Sequence, residues 1–77
     1  MTAFAMLATF DREFTDEERE RLGEEDRDWT VGRARPGVGE MDADREAKTW
    51  EEAVQMFTDD LRAVVPDIEL VSIVPAE

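Results

Sequence analysis

A chain of 77 residues without cysteine has room for one small domain, and no disulfide or thiolate–metal staple can reinforce its core. Hydrophobic residues make up 42% of it, enough to fold despite 39% charged residues. Twenty-one acids against nine bases give a net charge of −12, which disfavours direct binding to DNA, RNA or an anionic membrane.

The first stretch, Thr2 to Phe10, is apolar on both parities. Phe4, Met6, Ala8 and Phe10 share one face of a strand, with Ala3, Ala5 and Leu7 on the other. Such a strand belongs in the middle of a sheet. It lacks the basic n-region of a signal peptide, and no stretch reaches the ~18 apolar residues of a membrane span, so a cytoplasmic protein is expected. Thr15 with Glu18 then forms a capping box and predicts a short helix to Leu22, with Gly23 as its stop. Only Phe14, Leu22 and the stem of an Arg are available to face a core.

Asp28 to Arg35 reads as a strand with Trp29 and Val31 on one face. Pro36-Gly37-Val38-Gly39 is a turn, with Pro suited to its second position and Gly to its third. From Glu40 to Lys48 the pattern alternates. Met41, Ala43 and Ala47 point one way, and Glu40, Asp42, Asp44 and Glu46 the other; Arg45 breaks the apolar parity.

Residues 49 to 66 carry the largest apolar surface in helical register. Trp50, Ala53, Val54, Phe57, Leu61, Val64 and Val65 form one stripe, Thr49 and Glu52 make a second capping box, and Pro66 ends the helix. Asp67 to Val74 closes the chain as a strand, apolar on both parities in its second half, and Pro75 ends it. The order β-α-β-β-α-β predicts an α+β, ferredoxin-like βαββαβ fold: a four-stranded antiparallel sheet in the order 4-1-3-2 with both helices on one face. Trp50, Val54, Phe57, Leu61 and the inner face of the first strand are its expected core.

The passage from the first strand through Phe10-Asp11-Arg12-Glu13-Phe14-Thr15-Asp16-Glu17-Glu18 resembles the opening of small uncharacterised domains from actinobacteria and their phages. Some relatives of that type continue into a DNA-binding helix-turn-helix. This chain stops at Glu77 without one, so the resemblance implies no DNA binding. It assigns no functional residue.

The side chains leave little for catalysis. There is no His, Cys or Tyr, Lys48 is the only Lys and Ser72 the only Ser, so Ser-His-Asp and Cys-His arrangements are impossible. Carboxylate pairs abound, but nothing in the sequence marks one pair as unequal, which acid/base work needs. No catalytic residue, cofactor or metal is expected. Glu40, Asp42, Asp44 and Glu51 match positions 1, 3, 5 and 12 of an EF-hand loop, but Arg45 stands where the loop needs Gly. Gly32, Gly37 and Gly39 lack the spacing and the strand-to-helix junction of a phosphate cradle.

One constellation remains. On a strand, Glu40, Asp42, Asp44 and Glu46 stand about 6.5–7 Å apart, an interval like that of successive phosphates. If Met41 and Ala43 face the helices, this row lies on the open face of the sheet beside the second apolar set of the first strand. Negative charge next to an apolar strip suits a basic protein surface, such as that of a nucleic-acid-binding protein. A solvated strand face that only keeps the chain soluble is the plainer explanation. The expected function is a non-enzymatic protein-binding module, with a phage-type inhibitor mimicking nucleic acid as its leading version. A homo-oligomerising regulatory or scaffold domain is the alternative, because the two apolar parities of the first and last strands exceed what two helices can cover.

Overall fold

Alternation along the first strand sets the middle of the sheet. In the computed structural model, which describes residues 2–25, 27–33 and 36–76, β1 (Thr2–Phe10) buries Met6, Ala8 and Phe10 and exposes Ala3 and Ala5. It pairs antiparallel with β3 (Gly39–Ala47) along its whole length, Thr2 opposite Ala47 and Phe10 opposite Gly39. On its other side β4 (Leu70–Pro75) pairs with it from Met6 opposite Pro75 to Phe10 opposite Leu70. The short β2 (Trp29–Arg33) adds to β3. The sheet order is β2-β3-β1-β4, the expected 4-1-3-2 read from the other edge, and the fold is α+β and ferredoxin-like.

Both helices cover the same face. Helix α2 (Trp50–Val64) buries Ala53, Phe57, Leu61 and Val64 against the inner residues of β1 and β3, and α1 (Asp16–Glu25) adds Leu22 beside Phe14. Thr49 caps α2 through its hydroxyl, which accepts from the Glu52 N–H at 3.2 Å. The expected core positions Trp50 and Val54 are only half-buried, because they border the stripe instead of lying on its centre line. Trp50 still meets Phe4 edge to face at 6.1 Å. Among the described residues no helix is long and apolar enough to cross a membrane.

Besides one-residue shifts at the ends of β3 and at the close of β4, where Pro75 pairs with Met6, four local expectations change. Helix α1 runs through Gly23 to Glu25. A glycine stop needs a left-handed backbone, and positive φ occurs among the described residues at Asp28 and Gly37. The last turn of α1 is instead pinned by Trp29, whose Nε1–H donates to the Leu22 carbonyl at 2.8 Å. Strand β2 begins at Trp29, not Asp28, because the positive φ of 54° at Asp28 turns the chain there; the expected positions 34 and 35 lie outside the described residues. Strand β4 begins at Leu70, not Asp67. Ile68 is buried in the connection, Asp67 reaches Arg12, and the β1–β4 register shifts at Thr9/Phe10.

The fourth change concerns Arg45. It does not break β3, because it keeps the inward parity of Met41, Ala43 and Ala47 and is 7% exposed. Its guanidinium carbon lies 5.5 Å from the Trp29 ring centroid and 5.8 Å from that of Phe57. Its Nε–H donates to Asp60 at 3.2 Å, and another guanidinium N–H donates to the Asp44 carbonyl at 2.6 Å. The planar cation takes the place of an apolar residue by stacking on aromatics.

Candidate functional site

The face of the sheet away from the helices carries the odd residues of β1 and the even residues of β3. Glu40, Asp42, Asp44 and Glu46 all project from it, standing opposite Thr9, Leu7, Ala5 and Ala3 of β1. Asp42, Asp44 and Glu46 are exposed and Glu40 is half-buried. Inward Met41, Ala43, Arg45 and Ala47 fix this orientation, since a slip of one residue would bury the four carboxylates. All four predicted residues therefore share one row, about 6.5–7 Å apart along the strand.

Neighbours shape the row at each end. Glu40 leans toward β2, its Oε1 3.0 Å from the position a Cβ on Gly32 would take, so the missing side chain gives the carboxylate its room. At the other end the Asp44 N–H donates to the Asp28 carbonyl at 3.0 Å. Asp28 joins Asp44 and Glu46 around an open concavity of about 610 Å³ that is also lined by Ala3, Ala5, Arg45 and Met56 of α2. A second hollow, of about 300 Å³, lies between Asp28, Thr30, Asp42, Asp44 and Ala5. Asp28 was not legible as part of this surface. Its sequence signal, an acid at the start of a strand, is shared by several acids of the chain.

Four of the nine bases form ion pairs with acids outside the row. Arg12 pairs with Glu18 and Asp67, Arg21 with Glu17, Arg27 with Glu25 and Asp60, and Arg45 with Asp60. Among the described residues none of the four β3 carboxylates has an ion-pair partner within 4.0 Å. The row is thus acceptor-only and open to cations, with up to two hydrogen bonds per carboxylate from an arginine fork. Beside it lies an uncharged strip: Ala3, Ala5, Leu7 and Thr9 of β1, then Ser72 and Val74 of β4. The Ser72 hydroxyl donates to the Thr9 hydroxyl at 3.1 Å.

Glu18 shows what a structural acid looks like in the same chain. It is buried, takes two hydrogen bonds from Arg12 at 2.8 and 2.9 Å, and accepts from the Thr15 N–H at 2.9 Å while the Thr15 hydroxyl accepts from its own N–H. The Arg12 hydrogen bonds hold its carboxyl down at about 2, against the opposing effect of burial. Arg12 is in turn raised, chiefly by Glu18. The β3 acids have none of these partners. No group of three or more acids among the described residues is placed to hold a metal ion. Comparison with protein-family models, with curated proteins and with solved structures gave no match to this chain.

Proposed function

We propose that the protein is a non-enzymatic binding module that offers the β3 acid row to a basic protein surface, of the kind that otherwise holds nucleic acid. The observation that carries this reading is the row itself: four carboxylates at alternate positions of β3, which β1 flanks along its whole length, none paired with a base of its own chain among the described residues. A stripe of acceptors at nearly phosphate spacing beside an uncharged strip suits an interface with a charged half and an apolar half. In this reading the module is an inhibitor, which occupies a nucleic-acid-binding protein and keeps its natural ligand out.

The test is a titration with a partner captured from a host lysate, run against Asp42→Asn/Asp44→Asn and against a control pair on the helical layer, Asp16→Asn/Glu20→Gln. Glu18 must be left intact in the control, because it is buried and its loss would unsettle α1. The β3 pair should weaken binding by at most a few kcal/mol, mainly through slower association, and duplex DNA should compete. Equal losses from both pairs would mean diffuse attraction, and no loss from the β3 pair would end the proposal. A second reading, a self-associating regulatory or scaffold domain, draws support from Val71 and Val74, which are 65% and 47% exposed.

A further inference from the structure

We propose that the outer edge of β4 is a self-association surface, where two copies pair strand to strand, antiparallel, and join their sheets. The inference gives the self-associating reading a surface, and it assumes nothing about what the acid row binds. Strand β4 is an edge of the sheet, and from Leu70 to Ala76 it carries no charged residue. Val71 and Val74, both on it, are the most exposed large hydrophobic residues among those described.

The hydrogen-bond pattern says which backbone groups are available. Ala76 N–H donates to the Ala5 carbonyl at 2.9 Å. Antiparallel alternation then turns the groups of Val74 and Ser72 toward β1, and leaves the N–H and C=O of Ile73 and the carbonyl of Pro75 facing outward. Edge strands are ordinarily guarded by charged side chains. The opposite edge, β2, follows directly on Asp28. On β4 the only guard is Pro75, which removes one donor at the end and leaves Ile73 free to pair.

Charge selects both the occupant and the geometry. Two copies of a chain of net charge −12 repel each other wherever their acids meet. Stacked face to face, the two acid rows would stand about 10 Å apart, close to one Debye length at physiological salt. Paired through β2, the rows would be three strand spacings apart, about 14 Å. Paired through β4, they are five spacings apart, about 24 Å, or roughly three Debye lengths. The β4 edge is the one that brings copies together while keeping the acid rows out of each other's field. It is also its own complement. A two-fold axis at Ile73 sets Ser72 of one protomer opposite Val74 of its partner, with no charge buried on either side. A basic partner finds no carboxylate on this strand to recognise.

A strand of 6 residues buries less than a standard interface of ~1,600 Å², so the dimer is reversible and forms at micromolar concentrations or above. Sedimentation of the full chain from about 5 to about 500 µM should show the 8.8 kDa species giving way to one of twice that mass. The dimer should strengthen as NaCl rises from about 50 to about 500 mM, since salt screens the residual repulsion. Val74→Glu should lower dimer affinity at least tenfold. An equimolar mixture of Val74→Glu and Val74→Lys should restore association, because the two side chains are diagonal neighbours across the axis. In the unsubstituted protein the Ile73 amide should gain hydrogen-exchange protection with concentration. A monomer throughout overturns both this inference and the self-associating reading. A dimer that ignores Val74→Glu, or that leaves Ile73 unprotected, or that weakens with added salt, overturns the β4 edge and keeps self-association through another surface. Neither result bears on the docking of a basic partner by β3.

Discussion

At the scale of single residues, Arg45 and Glu18 show two ways to bury charge. Arg45 lies against Trp29 and Phe57 with Asp60 as its partner, and one guanidinium nitrogen of it is buried without a hydrogen bond. Its contribution is therefore largely packing and stacking. Arg45→Met, which keeps the stem volume and removes the desolvated charge, should be neutral or mildly stabilising in urea melts. Arg45→Ala should cost roughly 2–4 kcal/mol. Equal losses from both would assign the stability to the ion pair instead. For Glu18 the sign follows from its depressed pKa of about 2 against an ordinary 4.5. The folded state binds its proton more weakly than the unfolded one, so its contribution is complete above about pH 4.5 and fades as pH falls toward 2. With Arg12 itself 35% exposed, solvent screening reduces that contribution to about 2 kcal/mol. The stability gap between the parent and Glu18→Gln should shrink over that window. A gap that stays constant with pH would show that packing, not charge, carries it.

At the scale of elements, the apolar stripe of α2 and the parity of β1 and β3 were legible because they arise from periods of 3.6 and 2, which sequence alone carries. The orientation of Glu40, Asp42, Asp44 and Glu46 was legible for the same reason. What was not legible depends on contacts between elements. Arg45 looks like a break in the pattern until Trp29 and Phe57 are beside it. Gly23 looks like a stop until Trp29 ties down the Leu22 carbonyl. Asp28 joins the acid surface only because β2 turns there. These readings separate in two glycine substitutions. Gly23 lies inside α1 with nothing within 4 Å of a prospective Cβ, so Gly23→Ala should stabilise by roughly 0.5–1 kcal/mol. At Gly39 a Cβ would come 2.5 Å from the Arg12 carbonyl oxygen, so Gly39→Ala should destabilise by forcing β3 away from that loop. Thermal melts of the two variants should move in opposite directions. In α2, Leu61→Ala should cost roughly 2–5 kcal/mol, a large share of the stability of so small a core. A parent-like melt would mean that the stripe is not the core.

At the scale of the whole molecule, the two layers use charge differently. The helical layer pairs Glu17, Glu18, Glu25 and Asp60 with arginines, and Asp16, Glu17 and Glu18 sit in the first turn of α1, where the helix dipole favours them. Among the described residues the β3 row of the sheet layer is unpaired, at intervals of about 6.5–7 Å, where like charges cost a fraction of a kcal/mol per neighbour in a solvent-rich setting. A surface kept for binding carries such a cost, whereas a surface kept for folding does not. Asp42→Asn/Asp44→Asn should therefore raise stability, by roughly 0.5–1 kcal/mol at low salt, and the gain should vanish near 1 M NaCl, where the Debye length is about 3 Å. Asp16→Asn/Glu20→Gln should instead be neutral or destabilising, because Asp16 loses its interaction with the helix end. Chemical denaturation of both pairs at low and high salt measures this directly. If Asp42→Asn/Asp44→Asn lowers stability at low salt, the row has a structural role within the fold, and its availability to a basic partner loses its main support.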